Sequence, residues 1–350
     1  MEMGVYMKDI KIFDATLRDG SHAIAHQYSR EQIEAYCRAM DTAGMDVIVV
    51  GHGNGLGASS LQIGLSLLPD AEMIQLAREH LHKTKLGVFM MPGYGTIRDD
   101  LVPAVEAGVD LFKIACHCTE TNITRQHIEF LAGKGKEVYG VMMMYHLADK
   151  ETLLQQALQL ESYGVQGVIL MDSAGASTPE MVRDTVSLLS AKLRCRIGFH
   201  AHNNLGLAVA NSYTAIQNGA TVIDGTLRGF GAGAGNCQLE AFVALLRKEG
   251  ISCAADLYRM MDVSKEYVAR WWQHDKGLDD LNIVNGLAGV FSGFKRHVIN
   301  AAATFGVDAR DILMELGRRK AVAGQEDMIV SVAQELQDAR NKKGRESVKG

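Results

Sequence analysis

Eight short apolar runs alternating with helical stretches limit what this chain can fold into. The runs are Ile10–Asp14, Val47–Val50, Leu86–Met91, Leu111–Ala115, Val138–Met144, Gly167–Met171, Arg196–Phe199 and Val222–Thr226, each ending in a polar or glycine-rich cluster. Runs of this length and composition, bounded by turn signals, read as strands. Between them Arg30–Ala43, Leu61–His82, Leu101–Gly108, Gln126–Lys134, Lys150–Tyr163, Pro179–Leu193 and Ala208–Asn218 carry a helical period. Ser29 and Gln32 have capping-box spacing, and Thr178 before Pro179 reads as an N-cap followed by proline at the first helical position. Gly44, Gly108, Gly164 and Gly219 stand where left-handed residues close helices.

Alternating strands and helices predict parallel pairing through right-handed crossovers. Eight such units predict an α/β fold of the (β/α)₈ TIM-barrel class rather than an open doubly wound sheet. The first turn, Arg18-Asp19-Gly20-Ser21, also lacks the G-x-G-x-x-G of a dinucleotide site. A barrel typically takes about 250 residues, which leaves a surplus in a chain of 350. An eighth helix is expected around Leu239–Lys248, and no strand-like run follows Tyr258. Tyr258–Gln273, Leu281–Phe305, Ala309–Arg319 and Asp327–Ala339 have helical patterning instead. The expected organisation is a barrel over residues 8–260, an all-helical region over 261–340 and a charged, frayed tail over 341–350.

Charge and composition narrow the function classes. Lys+Arg 36 against Asp+Glu 41 gives −5, so no nucleic-acid partner is expected unless its footprint is local. No run approaches the ~20 apolar residues of a membrane helix, and Met1–Asp9 is too polar for a signal peptide. The six cysteines form no C-x-x-C pair and no disulfide framework, which points to reduced thiols and a cytoplasmic location. Cys116 and Cys118 read as packed core thiols rather than metal ligands. With 36 Gly and 4 Pro, the chain has many places for close backbone approach and few stiff linkers.

In a TIM barrel the chemistry sits at the C-terminal ends of the strands. The first strand ends in Asp14, Thr16, Arg18 and Asp19, with His22 just beyond; the second ends in Gly51-His52-Gly53-Asn54. The sixth ends in Asp172-Ser173-Ala174-Gly175, and the seventh in Phe199-His200-Ala201-His202-Asn203-Asn204. His200 and His202, two apart on a strand, point to the same face. Two imidazoles do not complete a divalent site, and Asp19, one strand beyond the neighbour, is the natural third ligand. The alternative is a pair of hydrogen-bonded mouth histidines without metal.

Histidine and carboxylate donors without thiolate suit Mn²⁺ or Mg²⁺, with Co²⁺ or Zn²⁺ as further candidates. Such an ion with three protein ligands leaves room to chelate an α-keto acid and to stabilise its enolate. Arg18 can hydrogen-bond the same enolate oxygen, or serve in a structural salt bridge. His22 suits proton transfer near neutrality, or simply lines the mouth. Ser173 is a further candidate substrate contact. The glycine run Gly229–Asn236 follows the eighth strand, where a phosphate site, a close-packed turn or a conformational ring around the substrate mouth is expected. His26, His52, His117 and His146 read as supporting or surface residues.

Asp14-Ala15-Thr16-Leu17-Arg18-Asp19-Gly20 with His200-Ala201-His202-Asn203-Asn204 resembles the DRE-type aldolase/lyase superfamily, which includes HMG-CoA lyase and isopropylmalate synthase. More narrowly, Asp19-Gly20-Ser21-His22-Ala23, Gly51-His52-Gly53, His117-Cys118-Thr119-Glu120, Gly231–Asn236 and Gly324-Gln325-Glu326-Asp327-Met328 resemble the 4-hydroxy-2-oxovalerate aldolase family, from about Lys8 to Ala339. The resemblance implies a class II pyruvate aldolase that cleaves a 4-hydroxy-2-oxoacid to pyruvate and an aldehyde, in the catabolism of aromatic compounds. Carried over residue by residue, Asp19, His200 and His202 hold the metal, with Mn²⁺ the first expectation. Arg18 stabilises the enolate, and His22 takes the proton of the C4 hydroxyl. Substrate contacts extend to Ser173, His200 and Phe291. It also implies an acylating acetaldehyde dehydrogenase docked on the C-terminal helical region, with the volatile aldehyde channelled between the two.

Three departures stand out. Phe291 occupies a position where the family usually carries Tyr, so a hydroxyl that orients the C4 hydroxyl is lost. Phe89-Met90-Met91-Pro92 replaces a leucine-rich strand end, and Asn54 replaces a usual Asp. Other readings are an acyl-CoA lyase or condensing enzyme, a metal-dependent hydrolase, and a non-catalytic scaffold. Hydrolase barrels place H-x-H on the first strand, whereas here it lies on the seventh.

Overall fold

The computed structural model describes residues 10–272 and 277–347. Met1–Asp9, including the expected start of the barrel, the helix end at Gln273 and Val348–Gly350 lie outside the described residues. The eight strands are β1 (Lys11–Asp14), β2 (Val47–Val49), β3 (Lys85–Met90), β4 (Leu111–His117), β5 (Glu137–Met143), β6 (Gly167–Asp172), β7 (Arg196–Ala201) and β8 (Val222–Gly225). They pair in chain order, all parallel, and β8 returns to β1 to close the barrel. Closure leaves no sheet edge with unpaired amides and carbonyls.

Around the barrel lie α1 (Arg30–Met40), α2 (Asp70–His80), α3 (Val102–Glu106), α4 (Arg125–Gly133), α5 (Lys150–Ser162), α6 (Pro179–Lys192), α7 (Ala208–Gln217) and α8 (Leu239–Lys248). Their starts follow from local chemistry. Ser29 and Gln32 form the full capping box on α1, and the Thr178 side chain accepts from the Met181 N–H at the head of α6. The pattern over Leu61–His82 predicted a longer second helix, but α2 begins only at Asp70, after an extended Pro69. Ser60 and Gly64 pair as an antiparallel bridge, and Leu61, Leu65 and Leu67 are exposed. Leucines on a surface turn thus imitated the spacing of a buried helical face.

Beyond the barrel come α9 (Leu257–Val263), a π-helical turn, α10 (Ala269–Trp271), α11 (Asp280–Ala288), α12 (Lys295–Phe305), α13 (Ala309–Arg318) and α14 (Asp327–Ser347). The stretch Leu281–Phe305, read as one helix, is broken where Gly289 turns left-handed at φ 67° and a 3₁₀ turn, Ser292–Phe294, follows. That break separates α11 from α12. The last helix runs on to Ser347, through most of the stretch expected to fray.

The helical region is seated on the barrel mouth. Val290, Phe291 and Phe294 share one apolar core with Phe89, Met91, Met143 and Met171 of the barrel. Burying a side chain such as Phe294 contributes about 1.5–3 kcal/mol. Polar ties fix the orientation: Ser292 N–H donates to the Ser173 carbonyl at 3.1 Å, and Asn204 Nδ2 donates to Ser292 Oγ at 2.9 Å. His146 Nε2 lies 3.1 Å from the Gly289 carbonyl. No helix among the described residues is long and apolar enough to cross a membrane.

Candidate active site

The turn after β1 is braced from below. Asp14 accepts from the Thr16 N–H and hydroxyl on one oxygen and from the Tyr36 hydroxyl, at 2.6 Å, on the other. Tyr28 donates to the Thr16 carbonyl at 2.7 Å. Burial pushes the Asp14 carboxyl up to about 6 against these hydrogen bonds. So held, the chain delivers Arg18 and Asp19 over the barrel mouth, both buried.

Asp19 meets the two histidines of β7 there. Its Oδ2 is 3.7 Å from His200 Nε2 and 3.9 Å from His202 Nε2. One ligand atom from each of the three lies within 4.8 Å of the others, and among the described residues no other three His, Cys, Asp or Glu side chains converge in this way. All three are buried. Burial alone would raise the Asp19 carboxyl, but Arg18, His202, His200 and His22 around it outweigh that and hold it well below the carboxylate range. His200 is depressed to about 4 by burial, with Asp224 opposing, so the imidazole is neutral. Its Nδ1 donates to Asp224 Oδ2 at 3.0 Å, which leaves Nε2 as the lone-pair nitrogen facing Asp19. Two imidazoles with one carboxylate could hold a divalent cation.

Arg18 Nη1 donates to Asp19 Oδ2 at 2.7 Å, while its Nε and Nη2 are buried without a partner. Buried donors are normally satisfied, so this half of the guanidinium is available to an oxygen ligand. The guanidinium carbon lies 4.5 Å above the Phe89 ring. His22 is half-buried and lines a cavity of about 800 Å³ together with Gly231, Ala232, Ser292 and Arg296. Burial depresses His22 to about 4, with Asp19 opposing. Its ring packs edge-on to His26, which stacks on His52 at 3.7 Å.

Residues 9–266 match the HMGL-like family, and residues 277–338 match the DmpG-like communication domain. A protein of Pectobacterium atrosepticum named 4-hydroxy-2-oxovalerate aldolase is 49% identical over 329 residues, 94% of this chain and 96% of that one. One from Salinispora arenicola, named 4-hydroxy-2-oxovalerate aldolase 2, is 50% identical over 327 residues, 93% of this chain and 94% of that one. The chain belongs to the 4-hydroxy-2-oxovalerate aldolase family. It is a carbon–carbon lyase of the aldolase type. The carboxyl transferase domain of Rhizobium etli pyruvate carboxylase, solved with pyruvate and biocytin, superposes with a TM-score of 0.79 at 17% identity. The match covers 94% of this chain and 60% of that one, and it speaks for the fold alone.

In this aldolase the remaining candidates are placed as follows. Ser173 is fully buried; its hydroxyl accepts from the Met144 N–H at 3.2 Å, linking the ends of β5 and β6 beneath the helical region. Phe291 packs edge-on against Phe294 with ring centroids 5.7 Å apart, in the core between mouth and helical region. The glycine run folds over the site. Ala232 N–H donates to Asp19 Oδ1 at 3.2 Å, and Ala234 N–H to Asn204 Oδ1 at 2.9 Å. These amides serve the chain's own side chains, as the close-packed reading of the run requires. His117 bonds Thr119.

Three site neighbours were not singled out from the sequence. Asn236 Nδ2 lies 3.2 Å from His200 Nε2. Lys113 and Asp224 form an ion pair inside the barrel, both fully buried. The signal for this pair was present, since each is a charge within an otherwise apolar strand.

Proposed function

We propose that this aldolase is divalent-metal dependent and cleaves 4-hydroxy-2-oxovalerate, or a related 4-hydroxy-2-oxoacid, to pyruvate and acetaldehyde or a longer aldehyde. The reverse condensation would use the same groups. The observation that carries this reading is the convergence of Asp19, His200 and His202 beside a half-unpartnered Arg18. The nitrogen and oxygen donor set without thiolate fits Mn²⁺ first, with Mg²⁺ or Co²⁺ as alternatives. Bound there, the ion acts as a Lewis acid toward the 2-oxoacid.

The chain's own groups do the rest. Arg18 Nε and Nη2 hold the 2-oxo oxygen as charge develops on it. Neutral His22 accepts the proton of the C4 hydroxyl. As that proton leaves, the C3–C4 bond breaks, its electrons pass into the pyruvate enolate, and C4 departs as the aldehyde. Protonation at C3 then gives pyruvate. His200 borders the same substrate, Phe291 faces its aldehyde end, and Ser173 fixes the strand ends from which these contacts are made. The supporting relatives are named for 4-hydroxy-2-oxovalerate.

The C-terminal region, residues 261–340, serves as the docking surface for an acylating acetaldehyde dehydrogenase that consumes the volatile product. The communication-domain match supports this, as do the exposed Leu287 and Met314 on α11 and α13. The setting is the cytoplasmic breakdown of aromatic compounds. Pyruvate release from 4-hydroxy-2-oxoacids of several chain lengths, with and without Mn²⁺, tests the reading. Release that requires the metal supports it, and no release across the panel overturns it.

A further inference from the structure

One charged pair lies inside the barrel where the surrounding residues are apolar. Lys113 stands on β4 and Asp224 on β8, four strands away, so their ion pair crosses the barrel interior beneath the mouth. Both side chains are fully buried, within a lining that includes Phe13, Leu111, Tyr139, Ile169 and Val222. A buried ion pair seldom stabilises a fold better than apolar residues of similar volume, because desolvating two charges costs about what their attraction returns. The pair therefore needs an explanation other than stability.

Its contacts supply one. Asp224 is the register partner of His200 across β7 and β8. Its Oδ2 takes both the Lys113 ammonium and the His200 Nδ1–H, while Oδ1 is buried without a partner. Apart from Lys113, the bonding of this carboxylate is thus spent on one ring nitrogen of one site histidine. Lys113 holds the carboxylate from the far side and also lies 5.7 Å from the Phe89 ring, whose other cation is Arg18.

We infer that Lys113 and Asp224 are positioning residues for His200, fixing its ring and tautomer so that Nε2 faces the gap shared with Asp19 and His202. The inference rests on the metal-aldolase reading above and adds the two residues that prepare its ligand. Carboxylates behind metal-binding histidines typically hold 10–100-fold of metal affinity.

The test replaces the pair with apolar residues, Lys113→Met with Asp224→Leu, and titrates the purified protein with Mn²⁺, following free Mn²⁺ by electron paramagnetic resonance. The expected result is a melting temperature at or near that of the parent and a Mn²⁺ affinity about 10–100-fold weaker. An unchanged affinity in the folded double variant would make the pair structural and overturn the inference. If the double variant fails to fold, Asp224→Asn replaces it. There Lys113 draws the amide oxygen, the amide nitrogen faces His200 Nδ1, and Nε2 takes the proton. Affinity must again fall at least about tenfold, and its retention overturns the inference equally. A parent protein that binds no Mn²⁺, or keeps it in Asp19→Asn, overturns the metal reading itself and this inference with it. A parent that binds Mn²⁺, its loss in Asp19→Asn and weakened binding in the Lys113 and Asp224 variants together support both.

Discussion

Gly53 is the floor on which the His22 ring rests: a Cβ built at Gly53 would fall 2.4 Å from His22 Nε2. The backbone there is not left-handed, so alanine would be acceptable to the chain and unacceptable only to the ring. Gly53→Ala should therefore displace His22 while leaving the fold in place. The expected result is a kcat lowered by about 10²–10⁴-fold, the range of a lost general base, with an unchanged melting temperature. Full activity in the variant would separate His22 from proton transfer.

His22 also sets a pH expectation. Its folded value of about 4 lies below the unperturbed imidazole range, so the proton-accepting form persists well into acid. The acid limb of kcat/KM should fall near pH 4 rather than near 6.5, read with Mn²⁺ held saturating. A limb centred at the unperturbed value would assign the base to another group.

The same shifts bear on stability. His22 and His52 are both depressed to about 4, each chiefly by burial, and His26 lower still. Each binds more protons unfolded than folded across this window, so each contributes stability fully above about pH 6.5 that is lost as pH falls toward 4. Asp14, raised to about 6, has the opposite sign: its contribution is present below 3.8 and lost as pH rises through 6. His22, His26, His52 and His200, all strongly depressed, outweigh the raised carboxyls Asp14, Asp70 and Asp172 and predict a melting temperature that drops between pH 6.5 and 4 in metal-free protein. A flat profile over that range would contradict the burial of the histidine stack.

Arg18→Lys keeps a charge near Asp19 but removes the unpartnered Nε and Nη2. Loss of such donors at a developing oxyanion typically costs about 10²–10³ in kcat. Mn²⁺ stoichiometry should be unchanged, which distinguishes this variant from loss of a ligand. A kcat equal to that of the parent would remove the guanidinium fork from the chemistry.

The barrel was legible because its signal is repeated: β-branched runs, helical periods and closing glycines recur in one order, and the structure closes them in that order. Asp19, His200 and His202 were legible because strand periodicity places two of them on one face and fold geometry brings the third. What was hidden depends on distance across the fold. Leu61 to Leu67 carry helical spacing yet sit on a surface turn, since spacing alone does not say which face finds a partner. Lys113 and Asp224 are 111 residues apart, and only closure of the barrel makes them neighbours. The space under His22 belongs to an atom that Gly53 lacks, and so leaves no chemical mark in the sequence.

Phe291 bears on stereochemistry. It lies in the core where the helical region meets the mouth, held edge-on by Phe294. The family resemblance places a tyrosine here, whose hydroxyl would reach the C4 hydroxyl of one enantiomer. Under the proposed aldolase reading, this chain lacks that hydrogen bond, and discrimination at C4 falls to His22 and to the shape of the Met- and Phe-lined mouth. Phe291→Tyr restores one hydrogen bond, worth about 0.5–1.5 kcal/mol, or roughly a 2- to 12-fold change in the enantiomer ratio. Because the ring is retained, its packing and the melting temperature should hold. Kinetic resolution of a racemic 4-hydroxy-2-oxoacid, followed by pyruvate release, measures the ratio directly: a sharper preference places residue 291 at the C4 hydroxyl, whereas an unchanged ratio removes it from the substrate contacts.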